Sequence, residues 1–530
     1  MPRILAAAAT LGLVLTGAVA AHAASDTPSR GSAGYSAIGW GACKDPGLAS
    51  AKAECGYLSV PLDYAKPNGK KIKLAVSRIK HRTSDRGYQG AMLVNPGGPG
   101  GSGLSLSMLG GYVPAGAGDY YDWIGFDPRG VGSSVPALSC DADYASYGRP
   151  AYVPVTAAIE KANLKRAKGY AKDCAKAGGE LLNHLSTIDT VRDMESLRIA
   201  LGEQKINFYG FSYGTYLGQV YSTLYPQRVN KMVLDGNVDP SRVWYDANLD
   251  QDVAFERTMK VYFAWLAKYN AVYHLGKTGN AVEQGYYQQR AKLTKKPVHK
   301  FGGNELTDVF LQAGYYVFGW EAVASAYSAW VNDHDISALK DLFDSANPTS
   351  KGSDNGYAVY LAVQCTDVKW PASWSKWRAD NTAINKVAPF ETWGNAWYNA
   401  PCRDWAGKAG KPVSVDGKKV PPVLLISETL DAATPFSGSL EVRRRFPNSV
   451  LVEGVGGTTH AGSLFGNACV DLTIADYLAN GTLPARVKGD ISDRKCKPLP
   501  QPNPTAAKAE VSGTSTELTR LELQRHITGH

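Results

Sequence analysis

The chain lacks the patterns that mark several common classes of protein. Beyond its N-terminal segment, no apolar run reaches the roughly 18 residues that a membrane-spanning helix needs. The cysteines show no C-x-x-C spacing, and the glycine-rich run at residues 97–103 is not closed by Gly-Lys-Ser or Gly-Lys-Thr. No internal repeat is present. The sequence therefore argues against a membrane span and a phosphate-binding loop, and it predicts neither a metal site nor a cofactor.

Basic charge is in excess but is not concentrated. The formal net charge is +9 at pH 7. Basic residues are scattered, with short clusters at Lys70-Lys71, Lys295-Lys296 and Arg443–Arg445, and no stripe interleaved with aromatic side chains emerges. This distribution is typical of a solvated surface, and it predicts no nucleic-acid partner.

The N-terminal segment has the layout of a secretory signal peptide. Arg3 precedes an apolar run that ends at the small-x-small site Ala21-His22-Ala23. We expect residues 1–23 to be removed on export and the mature protein to be extracellular. An even number of cysteines in an oxidising compartment favours disulfides over free thiols, and this chain has eight.

Strand and helix patterns alternate along the chain and predict an α/β fold. From about residue 34 to residue 239, apolar strands alternate with helical stretches, which is typical of a parallel sheet with helices on both faces. Residues 240–404 change to helical stretches rich in tryptophan and tyrosine, which we interpret as an inserted helical lid. The alternation returns over residues 405–497, and residues 498–530 are predicted to be a flexible tail. The expected strands are Ile72–Ser77, Gly90–Asn95, Tyr121–Asp127, Ile206–Tyr209, Lys231–Asp235, Val423–Ser427 and Ser449–Glu453.

The motif G-x-S-x-G occurs once, as Gly210-Phe-Ser212-Tyr213-Gly214, at the end of an apolar run. In such a nucleophile elbow the serine lies on a sharp strand-to-helix turn, and the flanking glycines leave room for neighbouring backbone. The alternative is a glycine-rich turn that merely contains a serine. We predict that Ser212 is a nucleophile and that the backbone N–H of Tyr213 stabilises an oxyanion.

A serine nucleophile needs a histidine base and an orienting acid, and in this fold the chain order is Ser, Asp, His. His460 satisfies this order and lies in a glycine-rich loop after a predicted strand. The preceding strand ends near two candidate acids. Asp431 lies in the turn beyond the strand end and is favoured, whereas Glu428 is expected to remain on the strand and point elsewhere.

Residues 95–103 form a glycine-rich loop after an early strand. Its glycines let main-chain N–H groups point inward, so we predict that Gly98 supplies the second oxyanion donor. The nearby segment 125–133 is interpreted as a structural turn in which Asp127 and Arg129 hold the loop.

Taken together, these motifs resemble those of a known family. They are similar to the motifs of the secreted tripeptidyl aminopeptidases of the α/β-hydrolase fold, which are related to prolyl aminopeptidase. The similarity covers nearly the whole chain between its first and last cysteines. The segments that carry it are Asn95–Gly103, Asp127–Ser133, Tyr209–Thr215, Val233–Gly236 and Asp431–Pro435.

The resemblance implies an α/β-hydrolase fold and a triad of Ser212, Asp431 and His460. It also implies a serine exopeptidase without a cofactor, which releases short peptides, usually tripeptides, from substrates with a free amino terminus. The setting of His460 departs from the family, because relatives more often show a Gly-His-Gly-like sequence there. This departure bears on the conformation of the loop more than on the role of the histidine.

An exopeptidase must bind the α-ammonium group of its substrate with carboxylates. Glu321, which follows Trp320, is similar to a Trp-Glu feature of prolyl aminopeptidase lids. Asp367, which follows Cys365 by two residues, is similar to a Cys-x-Asp feature of relatives. Both are predicted candidates for the ammonium site, and a structural role is the alternative for each.

Neighbouring cysteines fall within the same block of the sequence, and the last three such pairs are similar to pairings expected in relatives. The predicted disulfides are Cys43–Cys55, Cys140–Cys174, Cys365–Cys402 and Cys469–Cys496.

The sequence leaves two other activities and one inactive class open. A secreted carboxylesterase or lipase would use the same triad without an ammonium site, and a prolyl aminopeptidase would release single residues. A catalytically silent binding protein is expected to lack a triad member, and none is missing here. The sequence carries no prediction of the oligomeric state.

Overall fold

A single ten-stranded sheet forms the centre of the protein in a computed structural model that describes residues 37–505. The strands are β1 (Gly41–Ala42), β2 (Glu54–Pro61), β3 (Lys71–Ile79), β4 (Ala91–Asn95), β5 (Asp122–Phe126), β6 (Ile206–Phe211), β7 (Val229–Asp235), β8 (Leu424–Glu428), β9 (Val450–Gly454) and β10 (Arg494–Cys496). Their order in the sheet is β1-β2-β3-β5-β4-β6-β7-β8-β9-β10.

Most of the sheet is parallel. The pairs from β5 and β4 through to β9 and β10 are parallel, whereas β1, β2, β3 and β5 pair antiparallel. Strands β4, β6, β8 and β9 are buried at every position, as expected of parallel strands that are covered on both faces. The predicted α/β-hydrolase architecture is therefore confirmed.

Helices connect the parallel strands and account for most of the remaining chain. The α-helices are α1 (Pro46–Ser50), α2 (Ala157–Gly178), α3 (Thr187–Ala200), α4 (Tyr213–Leu224), α5 (Tyr245–Lys268), α6 (Asn270–Tyr273), α7 (Gly279–Lys295), α8 (Gly303–Tyr315), α9 (Trp320–Ser328), α10 (Ser337–Ala346), α11 (Asn355–Asp367), α12 (Trp374–Asn385), α13 (Thr392–Asn399), α14 (Phe436–Arg445) and α15 (Ala468–Asn480). Short 3₁₀ helices occupy Leu104–Tyr112, Pro114–Tyr120, Gly179–His184, Pro226–Arg228, Val317–Gly319 and Ala400–Asp404.

Helices α5 to α13 lie between β7 and β8 in the chain, although these two strands are hydrogen-bonded neighbours in the sheet. The chain thus leaves the sheet after β7, builds a helical segment, and returns beside the strand that it left. We call α5–α13 the lid.

The strands expected from the sequence are all present, with ends that differ by no more than two residues. Strands β1, β2 and β10 were not expected from the sequence. Strands β1 and β10 have two and three residues, too few for a periodic pattern to be visible. Strand β2 contains a glycine and ends at Pro61, and both residue types are depleted in strands.

The predicted signal peptide, residues 1–23, lies outside the described residues.

The first part of the predicted flexible tail is packed against the rest of the protein. Leu499 is 3% exposed, and its N–H donates to Glu428 Oε1 at 3.1 Å. The Pro502 carbonyl oxygen also accepts from Trp265 Nε1 at 2.9 Å. The proline-rich composition suggested a linker, but this buried leucine and these satisfied backbone groups fix the segment. Within residues 37–505, no helix combines the length and apolarity needed to cross a bilayer.

All eight cysteines are paired. Each disulfide joins two cysteines that are neighbours in the sequence, as in the predicted scheme. Loops of this length stabilise a fold by roughly 3 kcal/mol each in the chain-entropy model. The disulfides are Cys43–Cys55, Cys140–Cys174, Cys365–Cys402 and Cys469–Cys496.

A buried ion pair fixes the turn after β5. Both Arg129 Nε and Nη2 donate to the Asp193 carboxylate at 2.7 Å, and the two side chains are 1% and 0% exposed. Arg129 Nη1 also donates to the carbonyl oxygens of Leu62 and His184. The guanidinium therefore joins the β5 turn to α3 and to the end of β2. The interpretation of this segment as a structural turn agrees with these contacts.

Replacing Arg129 with methionine is expected to lower the free energy of unfolding by about 3 to 5 kcal/mol, because Asp193 would stay buried without its partner. Urea denaturation with the disulfides intact measures the change. The matched control is Arg82→Met, since Arg82 pairs with Asp119 but its side chain is 64% exposed. The control should cost under about 1 kcal/mol. Equal losses in the two variants would contradict this assignment.

Candidate active site

Ser212 lies between the end of β6 and the start of α4 in a backbone conformation that L-residues rarely adopt, with φ 55° and ψ −125°. The surrounding glycines explain how this turn fits. A Cβ on Gly210 would lie 2.5 Å from the Gly214 carbonyl oxygen, and a Cβ on Gly214 would lie 2.7 Å from the Asn95 carbonyl oxygen. Any larger residue at either position would displace backbone. The motif therefore forms the sharp turn that a nucleophile elbow requires.

The glycine-rich loop after β4 packs directly against this turn. A Cβ on Gly97 would lie 2.8 Å from Ser212 Cβ and 3.0 Å from the Tyr213 nitrogen, and Gly97 has φ +99°. Asn95 Oδ1 accepts from the Gly97 N–H at 3.0 Å and fixes the start of the loop. Gly98, the next residue, is exposed. The loop thus brings main-chain groups beside the serine, where an oxyanion would form.

His460 and Asp431 form a buried pair. His460 Nδ1 lies 2.8 Å from Asp431 Oδ2 and 3.0 Å from Oδ1, and the two residues are 3% and 2% exposed. Asp431 also accepts from the backbone N–H groups of Ala433 and Thr434 and from the Thr434 hydroxyl. These donors fix the carboxylate, which in turn orients the imidazole and leaves Nε2 as the ring nitrogen free for proton transfer.

Ser212 and His460 both lie against the backbone at the end of β7. The Ser212 N–H donates to the Asp235 carbonyl oxygen at 2.9 Å. A Cβ on the next residue, Gly236, would lie only 3.2 Å from His460 Cε1. Gly236, with φ +71°, is therefore needed because the imidazole lies against its backbone.

The surroundings of His460 raise its affinity for a proton. Burial lowers the pKa of His460, but the charge of Asp431 and its hydrogen bond outweigh burial, so the pKa lies above the ordinary value of 6.5. Asp235 contributes in the same direction. The arrangement favours an imidazolium that forms when the histidine accepts a proton.

Glu428, the alternative acid, accepts hydrogen bonds from the backbone beside His460. Its Oε2 accepts from the Thr459 N–H at 2.6 Å and its Oε1 accepts from the Leu499 N–H at 3.1 Å. Burial raises the pKa of Glu428 to about 8. The structure thus places Asp431 on the imidazole and Glu428 on the backbone beside it.

Three residues near the site, Tyr209, Asp235 and Ser463, were not predicted from the sequence to hold the loop after His460. Asp235 Oδ2 accepts from the Ser463 N–H at 2.8 Å, and Tyr209 OH lies 2.7 Å from Ser463 Oγ. Burial raises the pKa of Asp235 to about 6. Asp235 belongs to the segment Val233–Gly236 that carries the resemblance, but no sequence pattern indicated that its side chain anchors the loop after His460.

The lid reaches the site from two sides. The Tyr315 carbonyl oxygen accepts from the His460 N–H at 2.8 Å, and the rings of Tyr315 and Tyr316 lie 5.7 and 6.5 Å from the imidazole. On the other side, a Cβ on Gly100 would lie 2.3 Å from the Gly356 carbonyl oxygen at the start of α11. The end of α8 therefore covers the histidine, and α11 covers the glycine-rich loop.

The two predicted ammonium-binding acids lie elsewhere. Asp367 already accepts from the Thr187 N–H and hydroxyl, each at 2.6 Å, and from Trp244 Nε1 at 3.1 Å. It lines a cavity of about 230 Å³ whose walls include none of the triad residues. Glu321, in the first turn of α9, lies beside Tyr273 and contributes to the raised pKa of that phenol. The described part of the chain shows no contact of either acid with Ser212 or His460.

In residues 37–505, no group of three or more histidine, cysteine, aspartate or glutamate side chains is arranged to hold a metal ion. The groups that lie near the Ser212 turn are an imidazole paired with a carboxylate and a loop of main-chain N–H groups. This set of groups fits the requirements of acyl transfer.

Asp431→Asn is expected to lower kcat by on the order of 10⁴-fold, because the amide stabilises the wrong tautomer and no longer stabilises the imidazolium. Glu428→Gln is the matched control, since the glutamine oxygen keeps one of the two backbone N–H contacts of Glu428 and the side chain does not touch the imidazole. Its kcat should fall by less than about 10-fold. A control that is as inactive as Asp431→Asn would mean that the orienting acid has been misassigned.

The pH dependence of kcat/KM should reflect the protonation of His460. Because the imidazole must be neutral to accept a proton and its pKa is raised, kcat/KM should fall as the pH drops through a value above 6.5. Initial rates from pH 5 to pH 9 measure this limb. A limb that lies below the ordinary value for histidine would contradict the raised pKa.

Comparison with known proteins agrees with this geometry. Residues 90–321 match the family model of the alpha/beta hydrolase fold, and residues 388–496 match the family model of TAP-like protein. The chain is 41% identical to tripeptidyl aminopeptidase of Streptomyces lividans over 94% of this chain and 97% of that protein.

Two mycobacterial proteins are more distant relatives. Serine protease Hip1 of Mycobacterium tuberculosis is 30% identical over 82% of this chain and 86% of that protein. Carboxylesterase B of the same species is 31% identical over 82% and 85%. With the α/β-hydrolase fold and the long match to tripeptidyl aminopeptidase, these similarities show that the chain belongs to the tripeptidyl aminopeptidase family and is a serine peptidase of the α/β-hydrolase fold.

Proposed function

We propose that this peptidase is secreted and releases tripeptides from the free amino termini of peptides through an acyl-enzyme on Ser212. The observation that carries the proposal is the buried His460–Asp431 pair, which lies against the backbone that also holds the Ser212 turn. The similarity to a tripeptidyl aminopeptidase supports the size of the released peptide.

In the first half of the reaction, Ser212 Oγ attacks the carbonyl carbon of the scissile peptide bond. His460 Nε2 accepts the serine proton, and Asp431 stabilises the imidazolium through Nδ1. The backbone N–H groups of Tyr213 and Gly98 donate to the oxyanion of the tetrahedral intermediate. His460 then gives its proton to the leaving amine, which departs as the shortened peptide.

In the second half, water attacks the acyl-enzyme and the same groups act again. His460 accepts a proton from the water, the oxyanion forms at the same donors, and the ester bond to Ser212 breaks. The tripeptide leaves as a free acid, and Ser212 regains its proton from the imidazolium.

The lid supports exopeptidase action. Tyr315 and Tyr316 on one side and α11 on the other enclose the approach to His460 and to the glycine-rich loop. A cleft that is closed at a fixed distance from the serine admits a chain end and rejects the middle of a long chain. Three extended residues span roughly 10 Å, so the depth of the cleft would set the length of the product.

Export is supported by the signal-peptide pattern of residues 1–23 and by the four disulfides. A carboxylesterase is the second candidate function, because Carboxylesterase B is among the relatives of this chain. An esterase would use the same triad but would gain nothing from a free amino group on its substrate.

Ser212→Ala is expected to lower peptide hydrolysis by on the order of 10⁴-fold or more, because the nucleophile is lost while binding remains. A fluorophosphonate should label Ser212 in the unaltered enzyme, as read by peptide mass spectrometry. Chelators should not change the rate. Label on a different serine, with activity retained in Ser212→Ala, would rule out this nucleophile.

Unblocked peptides should be cut after their third residue, whereas N-acetylated versions should be cut poorly because the ammonium group is missing. The assay compares a tripeptide anilide, its acetylated form, the matching single-residue anilide and a nitrophenyl ester. Preference for the single-residue anilide would indicate a prolyl aminopeptidase. Equal rates on free and acetylated tripeptide would instead favour an esterase or an endopeptidase.

A further inference from the structure

Asp367, the last residue of α11, is a buried carboxylate that accepts three hydrogen bonds. The N–H and the hydroxyl of Thr187, the first residue of α3, each donate to it at 2.6 Å, and Trp244 Nε1 donates at 3.1 Å. A buried carboxylate is stable only where donors such as these replace water. Asp367 therefore fixes the positions of Thr187 and Trp244.

The Thr187 hydroxyl links Asp367 to Tyr213. Thr187 Oγ1 lies 2.6 Å from Asp367 Oδ2 and 2.8 Å from Tyr213 OH. Burial raises the pKa of Asp367 to about 6, so at about pH 8 the carboxylate is ionised and can only accept. Thr187 then gives its one hydroxyl proton to Asp367, which leaves the Tyr213 hydroxyl as the donor to Thr187. The hydrogen bonds run from Tyr213 through Thr187 to Asp367.

Trp244 provides a second link between Asp367 and Tyr213. Its indole N–H donates to the carboxylate, and its ring centroid lies 5.9 Å from that of Tyr213. Both aromatic side chains are buried. The Tyr213 side chain is thus held at its hydroxyl by Thr187 and along its ring by Trp244, and both of these neighbours are fixed by the same carboxylate.

Tyr213 directly follows Ser212 and is the first residue of α4. In the proposed function its backbone N–H donates to the oxyanion. Such a donor acts only when it lies about 2.7 to 3.1 Å from the oxyanion, so a small displacement of Tyr213 would weaken the interaction. Contacts that fix the far end of the Tyr213 side chain restrict this displacement.

Helix α11 also contacts the glycine-rich loop, from which the second oxyanion donor is proposed to come. A Cβ on Gly100 would lie 2.3 Å from the Gly356 carbonyl oxygen and 3.2 Å from the Tyr360 nitrogen, and both residues belong to the first half of α11. In the last turn of the helix, Cys365 is bonded to Cys402. One helix therefore lies against the glycine-rich loop at its start and carries Asp367 at its end.

We propose that Asp367 is a positioning residue for the oxyanion site and acts on Tyr213 through Thr187 and Trp244. The inference rests on the proposed function, in which the Tyr213 N–H stabilises the oxyanion. It replaces the ammonium-binding role that the sequence suggested for Asp367, because the carboxylate oxygens are taken by Thr187 and Trp244. An interaction that matters only once the oxyanion forms affects kcat and leaves KM unchanged.

The first test compares Thr187→Val with Thr187→Ser on a tripeptide anilide and a nitrophenyl ester at about pH 8. Thr187→Val removes the hydroxyl and should lower kcat by roughly 10-fold on both substrates with KM unchanged, because complete loss of an oxyanion donor costs about 10²- to 10³-fold and a displaced donor costs part of that. Thr187→Ser keeps the hydroxyl and should recover most of the lost rate. Titration of active sites with a fluorophosphonate refers each rate to folded enzyme.

Asp367→Asn should lower kcat at least as far as Thr187→Val, because the amide replaces one of the two accepting oxygens with a donor. The second comparison uses two buried tyrosines of α4. Tyr213→Phe removes the hydroxyl that donates to Thr187 and should also lower kcat. Tyr216→Phe is the matched control, since Tyr216 packs against the same Trp244 ring but bonds to the Val413 backbone instead. The control should keep the kcat of the unaltered enzyme.

A tripeptidyl boronic acid separates positioning from a general structural role, because it forms a tetrahedral adduct with a serine nucleophile. Its inhibition constant should rise in Thr187→Val by the same factor by which kcat falls. A structural role would lower Tm and the number of titrated sites without changing kcat per site. That result would overturn the proposal, as would equal rates in Thr187→Val and Thr187→Ser or in Tyr213→Phe and Tyr216→Phe.

The failure of this inference can be told apart from the failure of the proposed function. Ester hydrolysis passes through the same oxyanion, so the comparison remains valid even if free and acetylated peptides are cut equally well. Activity retained in Ser212→Ala would mean that the proposed function itself fails. If Ser212 is the nucleophile and Thr187→Val keeps the full kcat, the present inference alone is overturned.

Discussion

The close packing around Ser212 is the constraint on which the rest of the site depends. Ser212 has φ 55°, and its N–H donates to the carbonyl oxygen of Asp235. Glycines at 97, 210 and 214 let neighbouring backbone segments approach the turn to contact distance. A methyl group at any of these glycines would collide with backbone. The turn therefore requires β4, β6 and β7 to lie side by side, so the order of the strands fixes the position of Ser212.

The histidine is held by the lid as much as by the sheet. Its loop is fixed by Glu428 and Asp235 from the strands, and by the Tyr315 carbonyl oxygen from α8. Helix α8 of the lid therefore helps to fix the position of His460. If His460 is the general base of the proposed function, movement of α8 would change the position of that base.

Much of this site was accessible from the sequence because it rests on local rules. The strained turn needs glycines at fixed offsets around Ser212. The chain order of the triad left His460, and the position of Asp431 beyond the strand end favoured it over Glu428. What depended on three-dimensional packing was missed. The roles of Asp235 and of Leu499 arise from contacts between distant segments.

The central claim of the proposed function is that Ser212, His460 and Asp431 cleave a peptide whose free amino terminus is enclosed by the lid. A crystal structure of the enzyme labelled by a tripeptidyl phosphonate with a free amino group tests it most directly. The account predicts phosphorus bonded to Ser212 Oγ, a phosphoryl oxygen within hydrogen-bond distance of the Tyr213 and Gly98 N–H groups, and the amino terminus of the tripeptide enclosed by the lid. An adduct on Ser212 whose amino terminus points into open solvent would contradict it.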